Sequence, residues 1–198
     1  MNTIILLTGI AGTGKKTIGE TITQIDPNFK LAHHHDYLDP ILKLLDDHPF
    51  DDNATSVWNS LNEKGWDALT KARGVIFDTI ANACPSESSF VITYELLNNN
   101  VYHQAIFNEI ADLAKKRNAS FIPVRLICDL DELIKRLTHE KRKNYYKTQD
   151  VALIKARFAQ DEVFKSQLAT ELTLDVSKLT PNESASKILS WVDTCYSH

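Results

Sequence analysis

The sequence predicts an α/β fold with three layers, α/β/α, built on a five-stranded parallel sheet. Two patterns carry this. Short apolar runs alternate with amphipathic helical segments from end to end, and strands joined through helices pair in parallel with both faces covered. The chain has 198 residues, 43% of them hydrophobic, with no repeat and no low-complexity linker, so one domain with a full-sized core is expected over 1–198.

Residues 4–8 form a continuous apolar run, as a buried strand requires. The next segment sets Ile18, Ile22 and Ile25 on one helical face and stops before Pro27. Residues 29–35 read as the second strand. Residues 55–83 read as long helical material, with Val57, Leu61, Leu69, Val75, Ile76 and Ile80 as apolar positions and Gly65 as a break. A third strand at 89–93 precedes a helix over 101–117. A fourth at 121–128 has Pro123 near its start. Asp129, with Glu132 three residues on, opens a helix that runs into a basic segment. A helix over 151–169 and a fifth strand at 172–176 follow. Thr180-Pro181-Asn182-Glu183 is a capping box with proline first in the last helix.

Nothing in the formal charge of -4 asks for a nucleic-acid or membrane partner. Cys84, Cys128 and Cys195 are scattered, form no metal-ligand spacing, and read as buried reduced thiols. The apolar start lacks a basic region and is cut off by Gly9, and no run is long enough to span a bilayer; a cytoplasmic protein is expected.

In sheets of this kind ligands bind at the carboxyl ends of the strands, so the chemistry should follow each strand. After the first comes Gly9-Ile10-Ala11-Gly12-Thr13-Gly14-Lys15-Lys16-Thr17, a phosphate loop between strand and helix. Its glycines turn backbone N–H groups onto a phosphate, and the helix adds its positive end. Gly9, Ala11, Gly12, Thr13, Gly14, Lys15, Lys16 and Thr17 are the expected nucleotide contacts, with Lys15 on the β- and γ-phosphates. The slot after the lysine, where Ser or Thr usually holds Mg²⁺, contains Lys16. The third strand ends in Thr93 where machine-type ATPases carry an acid, and the base-reading motif of GTPases is missing.

With this loop, an aspartate after the second strand, a basic segment after the fourth and Asp175-Val176-Ser177 at the fifth, the chain resembles the nucleoside monophosphate kinase superfamily. The likeness is to its shikimate-kinase-like and chloramphenicol-phosphotransferase-like branch. The resemblance implies a P-loop NTPase fold, ATP and Mg²⁺ as cofactors, a kinase lid over about 138–149 and an acceptor-side helical region over about 37–85. It implies transfer of the γ-phosphoryl group to a small-molecule hydroxyl. Asp36 would orient or deprotonate that hydroxyl and, with Thr17, hold Mg²⁺ through water. Arg73 would grip an anionic acceptor, with Glu95 and Asn98 as further contacts. Arg136 would stack on adenine opposite Ser177–Pro181, and Arg142, helped by Lys147, would reach the phosphates.

Other readings stay open on the residues alone: a nucleotide or polynucleotide kinase, an ATP sensor without transfer activity, or RNA binding through the basic segment and its tyrosines. His33, His34 and His35 invite a metal, but alternation along a strand would point them to opposite faces. His34 is then a candidate for the acceptor pocket.

Overall fold

A computed structural model describes residues 2–46, 56–138 and 150–196. Five strands, β1 (Thr3–Thr8), β2 (Phe29–His33), β3 (Ser89–Tyr94), β4 (Ser120–Ile127) and β5 (Leu172–Asp175), form one sheet in the order β2-β3-β1-β4-β5. Every pairing is parallel. β1 is central and all six of its residues are buried. Its alternate side chains feed two cores. Ile5 and Leu7 pack with Ile18, Ile22, Ile188 and Val192 on one face, and Ile4 and Leu6 with Ile106, Ile110 and Phe77 on the other. This is the period-two geometry of a strand covered on both sides.

The helices are α1 (Lys15–Ile25), α2 (His34–Leu45), α3 (Ser56–Ser60), α4 (Glu63–Asp78), α5 (Val101–Lys116), α6 (Leu130–Leu137), α7 (Val151–Gln160) and α8 (Pro181–Tyr196). A π-helical turn, Thr79–Ala83, extends α4. The expected capping box starts α8: Thr180 N–H donates to Glu183 at 2.8 Å, and Glu183 N–H to Thr180 Oγ1 at 3.2 Å. Pro123 precedes the first β4 residue that pairs with β5, so its missing N–H costs that ladder nothing.

Several expectations shift. The second strand ends at His33, and Asp36 lies in the first turn of α2 rather than after an extended segment. Gly65 is no break; its N–H is capped by Asn62 at the start of α4. Ile25 and Val75 are exposed, outside the core stripes assigned to them. The helix expected over 151–169 stops at Gln160, because the following segment turns to bond with the β3 exit. Asp129 begins α6 without a side-chain cap. Of the cysteines, Cys128 is buried and Cys84 and Cys195 are partly exposed.

Candidate active site

The phosphate loop is built by glycine geometry. Gly12 and Gly14 have φ of 99° and 88°, where a Cβ is strained, and a Cβ at Gly9 would meet the Leu126 carbonyl at 2.8 Å. Thr13, buried, closes the turn by donating its hydroxyl to Ile10 O at 2.9 Å. Lys15 is buried inside the loop, its Nζ donating to Gly9 O at 2.6 Å and Ile10 O at 3.2 Å. The loop thus holds an ammonium among its own carbonyls. α1 begins without a side-chain cap and without an acidic residue in its first turn. The positive end of the helix dipole is thus met by no carboxylate of its own first turn, an arrangement that favours an anion.

Asp36 is joined to this loop. Lys16 Nζ lies 2.7 Å from Asp36 Oδ1, both groups partly exposed. Pro40, four residues after Asp36, has no N–H to give its carbonyl. α2 is fixed by histidines: His34 Nδ1–H donates to Thr93 O at 2.8 Å, His33 Nδ1 shares a 2.5 Å bond with Thr93 Oγ1, and His35 Nδ1–H donates to Asp39 at 2.7 Å. The three rings lie 4.2–5.4 Å apart, because His34 and His35 are helical and strand alternation does not apply to them. Each Nδ1 is engaged in positioning. Among the described residues no group of three or more His, Cys, Asp or Glu is arranged to hold a metal ion. His34 also stacks on Tyr94 at 4.9 Å, and Tyr94 OH meets Tyr37 OH at 2.5 Å. Burial pushes the Tyr37 phenol up to about 12, so it stays neutral.

Arg73 is turned inward. It is buried, donates to Glu109 at 2.7 and 3.2 Å and to Tyr102 OH at 2.9 Å, and joins α4 to α5. Burial opposes its charge, but the Glu109 and Tyr102 hydrogen bonds prevail and hold the guanidinium above its ordinary range. Glu95, at the β3 exit, pairs with Arg157 of α7 at 2.6 Å. Arg157 escapes a sequence reading because its partner is 62 residues away. Beside this pair lies a cavity of about 350 Å³ lined by Asn98, Asn99, His103, Arg157, Asp161 and Glu162, among others. Such a volume is within the ~300–1,000 Å³ of small-molecule sites. The cavity is tied to the phosphate loop through Leu97, which lines it and shares a buried cluster with Ile10.

No protein-family model and no curated protein matches the chain. Solved structures do. A sugar kinase from Janibacter sp. HTCC2649 is 17% identical, with a TM-score of 0.59 over 98% of this chain and 95% of that one. A thymidylate kinase from Candida albicans is 16% identical, with a TM-score of 0.61 over 98% and 92%. A shikimate kinase from Acinetobacter baumannii, in complex with shikimate, is 16% identical, with a TM-score of 0.56 over 98% and 96%. The chain has the P-loop kinase fold.

Arg136 and the Ser177–Pro181 segment, expected on the base side, meet at the α6–β5 edge. Arg136 donates to Glu132 at 2.8 Å and to Val176 O at 2.9 Å, which brings it to the segment leading to Ser177 and Pro181. Ser177 Oγ accepts from Asp129 N–H at 2.8 Å, locking the two loops together. The lid expected over 138–149, with Arg142 and Lys147, lies outside the described residues apart from Thr138. Among the described residues the donors do not fit a directly ligated Mg²⁺. Lys16 replaces the loop hydroxyl, Asp36 already faces an ammonium, and the strand-end slot holds Thr93, which is buried and bonded to histidine. Thr17, exposed on α1, offers one neutral oxygen. No described helix is long and apolar enough to cross a membrane.

Proposed function

We propose that the chain is an ATP-dependent phosphotransferase acting on a hydroxyl of a small, hydrogen-bonding acceptor. The observation that carries this reading is the union of Lys15, the uncapped α1 terminus and Asp36 at one end of one sheet. Lys15 and the loop amides bind the β- and γ-phosphates, and Arg136 with the Ser177–Pro181 segment borders the base. In the transfer, the acceptor oxygen forms a bond to Pγ while the bond from Pγ to the bridging oxygen breaks and its electron pair leaves with ADP. The hydroxyl proton passes to Asp36. Such transfer rests on positioning and charge stabilisation, which lysines and helix dipoles supply.

The cavity beside Glu95 is the acceptor side in this reading. Its neighbouring guanidiniums are already paired, Arg157 with Glu95 and Arg125 with Glu162. Amides and paired ions favour hydroxyl-rich, uncharged acceptors over carboxylates or phosphates. Protein activity in the cytoplasm suits the composition.

The test is acceptor-dependent ADP release over a panel of sugars, polyols, acids and nucleosides. Stimulation by at least one hydroxylated compound, lost in Asp36→Ala, supports the reading. No stimulation by any member, with Asp36→Ala unchanged, refutes it. The Lys16–Asp36 pair favours one second reading, a nucleotide sensor whose carboxylate is held by the loop; it predicts tight ATP binding with no acceptor-dependent turnover.

A further inference from the structure

We infer that the Lys16 ammonium takes the place of a protein-ligated metal ion in the phosphate site, so that this chain grips a nucleoside triphosphate with or without magnesium. The inference rests on the proposed reading that the loop holds a triphosphate.

Three observations converge. First, an ammonium already joins α1 to the carboxylate of α2: Lys16 Nζ is 2.7 Å from Asp36 Oδ1 and only a quarter exposed. A divalent ion at that point would be repelled by it, and would find Asp36 already compensated. Second, among the described residues the usual protein ligands of magnesium are replaced or already engaged. The hydroxyl slot after Lys15 holds Lys16 itself. Thr93, in the strand-end acid's slot, is fully buried and gives its hydroxyl and carbonyl to His33 and His34. Magnesium is usually held by one or two carboxylates. Third, Lys15 and Lys16 open α1 with no acidic residue in the first turn and no side-chain cap. Two cations at a helix N-terminus oppose its dipole, a local violation of the kind tolerated where a bound anion compensates. A triphosphate restores the balance, and it meets fixed positive charge from Lys15, Lys16 and the helix amides without an added ion.

The experiment titrates the full chain with the non-hydrolysable analogue AMPPNP by calorimetry, in EDTA and in excess Mg²⁺, for the native protein and for Lys16→Ser. The variant restores a hydroxyl and releases Asp36; its folding is checked by thermal melting. The expected result is a native affinity that differs by less than about threefold between the two conditions. Lys16→Ser should bind at least about tenfold more weakly in EDTA than in Mg²⁺, about 1.4 kcal/mol by the affinity relation. A native chain that loses tenfold or more in EDTA overturns the inference while leaving the kinase reading intact. So does a folded Lys16→Ser variant that stays indifferent to the metal. No binding by the native chain in either condition removes the kinase reading and the inference with it.

Discussion

Arg73 offers a quantitative test of how the acceptor side is held. Replacing it with Met keeps much of its bulk and removes its charge. Its side chain is 3% exposed, whereas that of Glu109 is 43% exposed. The variant therefore loses the three hydrogen bonds to Glu109 and Tyr102, but the abandoned Glu109 carboxylate can rehydrate. A fully buried orphan charge would cost about 3–5 kcal/mol. With rehydration the loss falls to about 2–3 kcal/mol, the scale of one or two charged hydrogen bonds. In a chain of this size each kcal/mol moves Tm by roughly 2–4 °C, so Arg73→Met should melt about 4–12 °C lower. Thermal melts and urea titrations read this directly. Acceptor KM, measured below the new Tm, should be unchanged. A melt shifted by less than about 2 °C together with a tenfold rise in acceptor KM would refute the reasoning, and would return Arg73 to the ligand-gripping role that its position in the sequence suggests.

Further outcomes follow from the same geometry. Asp36→Asn should lower kcat by about 10²–10⁴-fold with little change in ATP affinity, because it removes a proton acceptor and not a phosphate contact; single-turnover kinetics separate the two. Arg157→Gln should free Glu95 and raise acceptor KM about tenfold while leaving nucleotide binding untouched, which a paired titration of the two ligands checks. His103 accepts the Leu97 N–H through Nδ1 at 3.0 Å, and burial holds its pKa below the ordinary value. The unfolded chain therefore takes up its proton first on acidification. The stability of the neutral ring is present above about pH 6.5 and is lost as pH falls towards the folded pKa. His103→Asn should flatten this acid limb in a series of melts between pH 5 and 8.

The central strand, the loop and α1 were legible because their signals are local: an apolar run, glycines at fixed spacing and a periodic face. The capping box at Thr180 was legible for the same reason. What escaped the sequence is decided by distant partners. The second strand stops at His33 because Thr93, 60 residues away, binds both His33 and His34. α7 ends at Gln160 because Asn98 N–H bonds Glu162 O and Phe164 N–H bonds Leu96 O, an attraction no helical periodicity reveals. Arg73 reads in the sequence as a grip for an anionic acceptor, whereas in the fold Glu109, on another helix, pairs with it. The sequence shows Asp36 following the second strand, but its pairing with Lys16 belongs to tertiary structure. Local chemistry is written in neighbours, whereas charge pairing is written in the fold.

The most direct test of the account is triphosphate binding by the native chain compared with Lys15→Ala. Lys15 lies within the loop, so the account predicts a native dissociation constant in the ordinary cosubstrate range of about 1 μM–1 mM. ATP should bind more tightly than AMP, and the lysine variant should lose that preference while still melting cooperatively as a folded protein. A folded native protein that binds neither nucleotide, or one whose ATP affinity survives the loss of Lys15 unchanged, would contradict it.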